Sequence, residues 1–539
     1  MKFKKKSFEK LIFYFTFISF LFVGIKSYQD YGISLDEKFH RETGLLYYNY
    51  IKGFFFEFSN KVDSDLIEEI IRNVDIAPAI NPVVFDTPIE FIIDLFQIKN
   101  SNEIFHLRHF VNFIYFFISI YFFYQILRKR FSNKIYPYIG ILILFLSPRI
   151  FSDSFYNNKD IIFLSLTIIN VYTALNLINK PSFKSSLFFS LTAALAFDVR
   201  VMAVLFIIVT CFMILIKSFE KELYFKKNFK YFLISLIFLP LFVIIFWPYL
   251  WTNFFGNLIF YFQNIPKMPV ISFYLGEYVN PKDTPWHYNL VWILITSPIT
   301  ISILFMFGFF KIFLRNINRL LKLEDNRKNL WYGNKEMYDC YCLYILIISF
   351  LAIIIFDFNF DGWRHVYFLY PFIIAVSLSG IYFLNLYVNN KFFKIFIFTI
   401  IFFEIFYLAY WNFKNHPYQY VFFNPIFKNY AKNNFDLDYW GVSNKSALKF
   451  IIKHDDRNKI KISRGSFTSL ESSLLILEKK ETERIEIVHD LEKADYVISN
   501  FRKGWGKIKN INLLDERFTI IHDIKVDGII INSIYKKNN

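Results

Sequence analysis

The feature that most limits what this chain can fold into is its series of apolar runs. A helix needs about 20 apolar residues to cross the hydrocarbon core of a bilayer. By this measure the sequence predicts eleven spans, at residues 8–26, 104–127, 135–151, 160–178, 184–198, 199–217, 230–248, 288–310, 341–357, 366–387 and 393–411. With 55% hydrophobic residues, the chain carries more apolar surface than a soluble domain can bury, so a lipid bilayer is its predicted partner.

Lysines and arginines predict the orientation of these spans, because basic loops stay on the cytoplasmic side. Basic and basic-poor connections alternate, and the predicted cytoplasmic segments are 2–6, 128–130, 180–184, 217–230, 311–335 and 391–394. The N-terminus is therefore predicted to be cytoplasmic and the C-terminus outside, in a plasma (inner) membrane. The same dispersal of cations excludes a nucleic-acid partner, despite a formal net charge of +16.

Two apolar runs, the one from 184 to 217 and the one at the N-terminus, allow more than one interpretation. The run from 184 to 217 is too long for one helix and is interrupted only at Asp198 and Arg200, so we predict two spans with this charged pair at the turn. The N-terminal run could be a signal peptide, but no small-residue cleavage site follows it. We therefore predict a retained first span.

Two regions are predicted to lie outside the membrane. The first is a long loop, 27–103, in which segments 62–74 and 88–98 are short and amphipathic enough to lie on the membrane surface. The second follows the membrane domain 1–411 and forms a small soluble α/β domain, 412–539. Its predicted helices are near 445–453 and 469–479, and its predicted strands are 459–463, 484–488, 495–499, 518–523 and 528–534.

The unusual charged residues gather at the predicted outside ends of the spans. Any single one is explained by interfacial anchoring, but the clustering on one side is not. The set comprises Asp36, Glu37, His40, His106, Arg108, His109, Arg149, Lys159, Asp160, Asp198, Arg200, Asp361, Arg364 and His365. We therefore interpret this face as the candidate active site.

Asp36 and Glu37 follow the first span directly. Adjacent carboxylates point in different directions, so one can face a cavity while the other holds the loop. A carboxylate in a reaction cavity can act as the general base for a hydroxyl nucleophile, and His40 would share the face of Asp36 on a helix. The alternative is a solvated turn before an amphipathic helix.

Four cations come from four separate outside connections: Arg108, Lys159, Arg200 and Arg364. Such residues suit a phosphate or pyrophosphate held at the membrane interface, although they could also reach lipid headgroups singly. Asp36, Asp160 and a histidine could coordinate a divalent ion, but no tight ligand spacing is present, so no metal site is predicted and the cofactor is left unknown. The three cysteines indicate neither a disulfide framework nor a zinc site.

The chain carries, in this order, the strings GISLDEKFH, HLRHFVNF, SPRIFSDSFYNNKD, FDVR, WPYLW, TPWHYN, DGWRH and HPYQYVFFN, followed by DYWGVS. Together they resemble the landmarks of the polytopic glycosyltransferases of the GT-C superfamily. The resemblance is to the phospholipid-carrier-dependent group that is similar to dolichyl-phosphate-mannose protein mannosyltransferases (glycosyltransferase family 39-like). It runs from the first span to about Ser443.

This resemblance implies a GT-C-like fold and a polyprenyl-phosphate-sugar donor, with transfer on the outer face to a hydroxyl of a glycan, lipid or protein. Carried over to this sequence, the base would be Asp36, with Glu37 as the second candidate. The residues it implies on the donor side are Arg108, His109, Lys159, Asp160, Arg364 and His365. A single displacement at the anomeric carbon would invert its configuration, because retention needs a second carboxylate about 5 Å away.

Two other classes of function compete with a transferase. A transporter or flippase of lipid-linked intermediates should show internal repeats and ionisable residues near the middle of its spans. The sequence shows no repeat, and Glu404 is the conspicuous acid deep inside a predicted span. A sensor or scaffold that binds a partner through its tail would leave the outside carboxylates and cations unexplained.

Overall fold

Apolar helices make up most of the described chain. The computed structural model describes residues 2–56, 84–220, 222–263, 271–321, 330–356, 360–503 and 517–538. The helices up to residue 414 are Lys2–Ser27, Glu37–Phe56, Asp86–Leu95, Ser101–Arg130, Ile135–Leu146, Pro148–Tyr156, Asp160–Asn179, Phe183–Val199, Val204–Glu220, Glu222–Phe246, Phe254–Gln263, Tyr288–Thr296, Ile299–Leu320, Gly333–Phe356, Tyr370–Tyr387 and Lys391–Lys414. Short 3₁₀ helices lie at Val201–Ala203, Pro248–Leu250, Pro281–Asp283 and Arg364–Leu369, and β1 (Ser272–Tyr274) pairs antiparallel with β2 (Glu277–Val279).

Among the described residues, eight helices are long and apolar enough to cross a membrane. A bent pair, Ile135–Leu146 and Pro148–Tyr156, meets at 61° and makes a ninth if it is counted as one span. The helix Val201–Lys217 is also apolar but shorter. The predicted class, a helical protein with many membrane spans, is therefore confirmed, while the count of eleven stays a prediction.

Predicted span 288–310 is instead two helices that are separated at Pro298. Proline offers no N–H to the preceding helix, and Pro298 has an extended ψ of 136°, so the first helix ends at Thr296 and the second runs on to Leu320. At the predicted break after Asp198, one helix ends at Val199 and a 3₁₀ turn leads into the next. The break is thus where the charged pair predicted it.

Two helices form the centre of the bundle. In the most apolar stretch of Arg364–Tyr387, 94% of the residues are buried, and in that of Asp160–Asn179, 83%. The corresponding value for Lys391–Lys414 is 11%, so this helix offers apolar side chains to its surroundings, as lipid contact requires. The ring centroids of Phe163 and Phe368 are 5.0 Å apart, which places the beginnings of the two central helices side by side.

The C-terminal region contains a mixed five-stranded sheet of order β4-β3-β5-β7-β6. Its strands are β3 (Ile460–Arg464), β4 (Ile485–Ile487), β5 (Tyr496–Ser499), β6 (Phe518–Val526) and β7 (Ile529–Lys537). β3 pairs parallel with β4 and β5, whereas β7 pairs antiparallel with β5 and β6. The small α/β domain is confirmed, and its boundary at residue 412 stays a prediction.

The short helices of this region are Lys428–Asn434, Asn444–His454, Leu470–Leu474 and Lys479–Thr482, with 3₁₀ turns at Gln419–Val421 and Leu491–Lys493. The predicted helix near 445–453 corresponds to Asn444–His454. The single helix predicted near 469–479 is two short helices, because Glu478 has an extended backbone and begins a new capping box with Glu481.

The long loop after the first helix is partly described. Predicted segment 62–74 lies outside the described residues. Predicted segment 88–98 corresponds to the helix Asp86–Leu95, which packs on Glu37–Phe56 through Lys52 and Asp94, whose charged atoms are 3.0 Å apart. Its other face is not turned to solvent, because Asp86 and Glu90 are buried beside Arg108.

Candidate active site

The loop that carries Asp36 is fixed to the segment before the C-terminal sheet. The Leu35 amide donates to the Trp440 carbonyl at 3.0 Å, and the Lys445 ammonium donates to the Tyr31 carbonyl at 3.1 Å. A Cβ at Gly32 would lie 2.4 Å from the Val442 carbonyl, so only glycine allows this approach. The loop is thus held between the first span and the C-terminal region.

Glu37 is buried and begins the helix Glu37–Phe56. One carboxylate oxygen accepts from the Ser34 amide at 2.7 Å, and the other lies 3.0 Å from His109 Nε2. Both oxygens therefore have partners, which connect Glu37 to the loop before its helix and to the second span. His109 lies behind Glu37, with its Nδ1 3.2 Å from the Tyr28 carbonyl.

Asp36 has a different environment from its neighbour. Its side chain is 35% exposed, and its Oδ2 is 3.0 Å from the Arg364 guanidinium. A carboxylate with an exposed oxygen can still accept a proton from a bound hydroxyl. The geometry therefore separates the two adjacent acids into an accessible one and an enclosed one.

Arg364 is the centre of the site. Its guanidinium contacts Asp36 at 3.0 Å, Asp160 at 3.4 Å and Asp361 at 3.1 Å, and it lies 4.7 Å from the ring centroid of Trp440. The residues before it form a tight turn, in which Asp361 and Gly362 have φ values of 54° and 68°. This turn aims Arg364 across the start of the Asp160 helix.

Asp160 is held by its own helix and by a second cation. The Asn157 side-chain oxygen accepts from the Asp160 amide at 3.0 Å, and its amide donates back to the Asp160 carboxylate, also at 3.0 Å. Arg200 forms an ion pair with the same carboxylate. The predicted break after Asp198 thus brings Arg200 to the beginning of the Asp160 helix, whereas Asp198 itself makes none of these contacts.

We call these residues the Arg364 cluster; its members are Asp36, Lys159, Asp160, Arg200, Asp361, Arg364 and Arg502. Four cations face these three carboxylates, and a further buried carboxylate, Asp436, interacts electrostatically with Arg502. The guanidinium and ammonium groups of the cluster are donors that suit a phosphate. Of the predicted cations, Lys159, Arg200 and Arg364 are brought together here.

Arg108 lies in a neighbouring group. It forms an ion pair with Asp86 and lies 3.7 Å from Glu90, and Asn158 donates to Asp86 at 2.8 Å. Its side chain is 1% exposed, so two carboxylates already neutralise it in an enclosed place. Burial raises the pKa of Asp86, and Arg108 acts in the opposite direction.

The predicted histidines are distributed around these groups. Burial lowers the pKa of His40 well below its usual value, and Lys159 and Arg108 lower it further, so His40 is neutral at pH 7. His365 is buried next to Arg364, 4.3 Å from Phe360 between ring centroids, and its Nε2 has no hydrogen-bond partner among the described residues.

Three residues of this site were missed by the sequence analysis: Asp86, Trp440 and Arg502. The string Asp86-Thr-Pro has a proline near the beginning of a helix, which is a start signal, but nothing in it indicates burial beside Arg108. Arg502 follows β5 and forms an ion pair with Asp361. Ligands of α/β sheets often bind at the carboxyl ends of parallel strands. The position of Arg502 directly after β5 could therefore have indicated a functional residue.

The aromatic residues of the strings WPYLW and TPWHYN lie in two different environments. Trp247 and Tyr249 are buried against Tyr47 and Tyr261, whereas Trp286 is exposed. For metals, the described residues contain no group of three or more acidic, histidine or cysteine side chains arranged to hold an ion.

Lys159 gives the site a predicted pH dependence. Burial lowers its pKa to about 8, and Arg200 contributes, while Asp160 opposes the shift. The ammonium is therefore charged below pH 8 and neutral above it, so affinity for a phosphate should fall about tenfold as pH rises from 7.5 to 9.5. In this range the phosphate is already doubly ionised.

The measurement is the binding of polyprenyl phosphate to the purified protein across that pH range. Lys159→Arg is the matched control, because a guanidinium stays charged throughout. It should bind equally at both ends of the range. An unchanged affinity in the wild type, or the same decline in Lys159→Arg, would contradict a contribution from Lys159.

The comparison with known families agrees with the motifs. Residues 82–247 match the family model described as dolichyl-phosphate-mannose-protein mannosyltransferase. The match covers Arg108, Lys159, Asp160 and Arg200, and it stops before Arg364. It confirms the resemblance to GT-C superfamily glycosyltransferases that the sequence predicted.

Two solved structures of ArnT from Cupriavidus metallidurans are similar in outline. The structure bound to undecaprenyl phosphate aligns at 9% identity with a TM-score of 0.44, covering 98% of both chains. The apo structure aligns at 10% identity with a TM-score of 0.42, again covering 98% of both. None of the curated proteins compared with this chain matches it.

Proposed function

We propose that this protein transfers a sugar from a polyprenyl-phosphate-linked donor to an acceptor hydroxyl on the non-cytoplasmic face of the membrane. The observation that carries the proposal is the contact of an accessible carboxylate, Asp36, with Arg364 in a cluster that contains four cations. A donor of this type presents a phosphate at the interface with its anomeric carbon beside it. The name of the matched family, a dolichyl-phosphate-mannose enzyme, supports the same class of donor.

The proposed reaction is a single displacement. The acceptor oxygen attacks the anomeric carbon, its proton passes to the Asp36 carboxylate, and the bond between that carbon and the phosphate oxygen breaks. The lipid phosphate leaves with the electron pair, and Arg364 with Arg200 and Lys159 stabilises its growing charge. The anomeric configuration is inverted, because no covalent sugar intermediate is formed.

Arg364 gives this site a way to couple donor binding to base activation. Without donor, Asp36 is one of three carboxylates that share the Arg364 guanidinium. A phosphate placed in the cluster competes for that guanidinium, and Asp36 then loses its cation. A carboxylate without a paired cation is the stronger base, so Asp36 becomes competent when the donor is present.

The roles of the other predicted residues follow from their contacts. Glu37 and His109 position the Asp36 loop, since each has both of its polar ends occupied. Arg108 influences Lys159 indirectly. It pairs with Asp86, which accepts a hydrogen bond from Asn158 and interacts electrostatically with Lys159. His365 lies against Arg364 as a neutral wall of the donor site.

A transporter gains no support from the described residues. A transporter should have an ionisable residue deep inside a span, and Glu404 is the candidate. Its carboxylate accepts from the Thr300 amide at 3.3 Å, near the beginning of the helix Ile299–Leu320. This contact is that of a helix cap.

The test uses the purified protein in lipid vesicles. Membranes from host cells that lack this protein are added as the source of the acceptor. A labelled polyprenyl-phosphate-sugar should transfer its label, and the anomeric configuration of the product, read by NMR, should be opposite to that of the donor. A nucleotide sugar should give no transfer. Transfer from the nucleotide sugar, or a retained configuration, would contradict the proposal.

A further inference from the structure

A groove lies at the other end of the bundle from the Arg364 cluster. Its volume is about 600 Å³, and it is lined by residues of the helices Ser101–Arg130, Asp160–Asn179 and Phe183–Val199. Because a helix rises about 1.5 Å per residue, Asn176 in the groove is about 24 Å from Asp160 along their shared helix. The groove is therefore separate from the candidate active site.

One part of the groove is apolar and faces the surroundings of the bundle. Phe122, Ile169 and Leu191 form its walls, and Phe188 is 48% exposed at its side. The hydroxyls in its floor do not compete for a ligand, because those of Thr173 and Thr192 are hydrogen-bonded to each other at 2.8 Å. An alkyl chain fits this surface.

The other part of the groove is basic. Lys180 and Lys184 line it, and Lys129 reaches over the Tyr172 ring at 4.2 Å to donate to Asn176 at 2.5 Å. Lys180 is close enough to Lys129 to interact with it electrostatically. No carboxylate is among the described lining residues, so these three positive charges meet no acidic partner within the groove.

We propose that this groove binds an anionic glycerophospholipid of the bilayer. Its headgroup phosphate contacts Lys129, Lys180 and Lys184, and one acyl chain lies along Phe122 and Ile169. The charge of the groove selects an anionic headgroup over a zwitterionic one. The sequence predicts these lysines on the cytoplasmic side, where anionic lipids attract juxtamembrane lysines.

The test is native mass spectrometry of the purified full chain titrated with phosphatidylglycerol or phosphatidylcholine. Each lysine near an anionic headgroup contributes about fivefold in affinity, so the triple variant Lys129→Gln, Lys180→Gln, Lys184→Gln should bind phosphatidylglycerol at least tenfold more weakly. A second variant, Leu191→Trp, fills the apolar part and should lose the lipid while keeping every charge.

The matched control removes three cations at the same end of the bundle but outside the groove, as Arg128→Gln, Lys391→Gln and Lys394→Gln. It should bind phosphatidylglycerol like the wild type. Equal losses in both triple variants, equal binding of phosphatidylcholine, or unchanged binding in Leu191→Trp would overturn the proposal. Preferential binding of polyprenyl phosphate at this groove would also overturn it, because the occupant would then be the carrier lipid.

Discussion

Asp36→Asn should reduce sugar transfer by a factor of about 100 to 10,000, the range that a general base contributes. The amide keeps the size of the side chain but cannot take the proton of the acceptor hydroxyl. Donor binding should stay the same or become tighter, since Arg364 loses the competition of one carboxylate, the one 3.0 Å away. Transfer rates and polyprenyl-phosphate affinity, measured on the same preparation, separate these two effects.

Two matched variants make the result specific. Asp30→Asn changes a carboxylate in the same loop that pairs with His416 at 2.8 Å, so transfer should be retained. Glu37→Gln leaves one amide oxygen in place of the two carboxylate oxygens that contact the Ser34 amide and His109, so it should mainly lower the thermal unfolding temperature. If Asp36→Asn transfers sugar normally while folded Glu37→Gln does not, the base is Glu37 and the assignment made here is wrong.

Arg364→Ala should lose both donor affinity and transfer, with a fall in kcat/KM of at least about 100-fold, as for the removal of a group that stabilises a leaving anion. The protein should still fold, because Asp160 keeps Arg200 and Asp361 keeps Arg502. Arg364→Lys should recover part of the activity, since it restores the charge but not the fork that reaches several oxygens. Binding and single-turnover transfer are the measurements.

Arg457→Ala is the control for that substitution. Arg457 is half exposed and pairs with Asp455 and Asp495 in the C-terminal region, so transfer should not change. Arg502→Gln tests the connection through Asp361 and should reduce donor affinity less than Arg364→Ala. Equal donor affinity in wild type and Arg364→Ala would remove Arg364 from the phosphate site.

Much of the fold follows from local sequence patterns. The hydrophobic periodicity and turn residues after 443 predict β3 to β7 to within a few residues, because those signals lie within each element. The apolar runs predict the spans in the same way. Pro298 shows the limit, since a continuous apolar run did not reveal that a proline divides it into two helices.

The site shows what sequence patterns cannot give. The predicted topology places Asp36, Lys159, Arg200 and Arg364 on the same side of the membrane. The structure brings all four into one cluster. Sidedness could not tell Arg108 from Arg364, because which carboxylate reaches each cation depends on helix packing. Arg502 was out of reach for the same reason, as its contact with Asp361 spans more than a hundred residues.

The most direct test of the account is a structure of the protein with bound polyprenyl phosphate. The phosphate should lie within hydrogen-bonding distance of Arg364 and in contact with Lys159 or Arg200, with Asp36 no longer paired to Arg364. A phosphate bound away from the Arg364 cluster, with the contact of Asp36 and Arg364 intact, would contradict it.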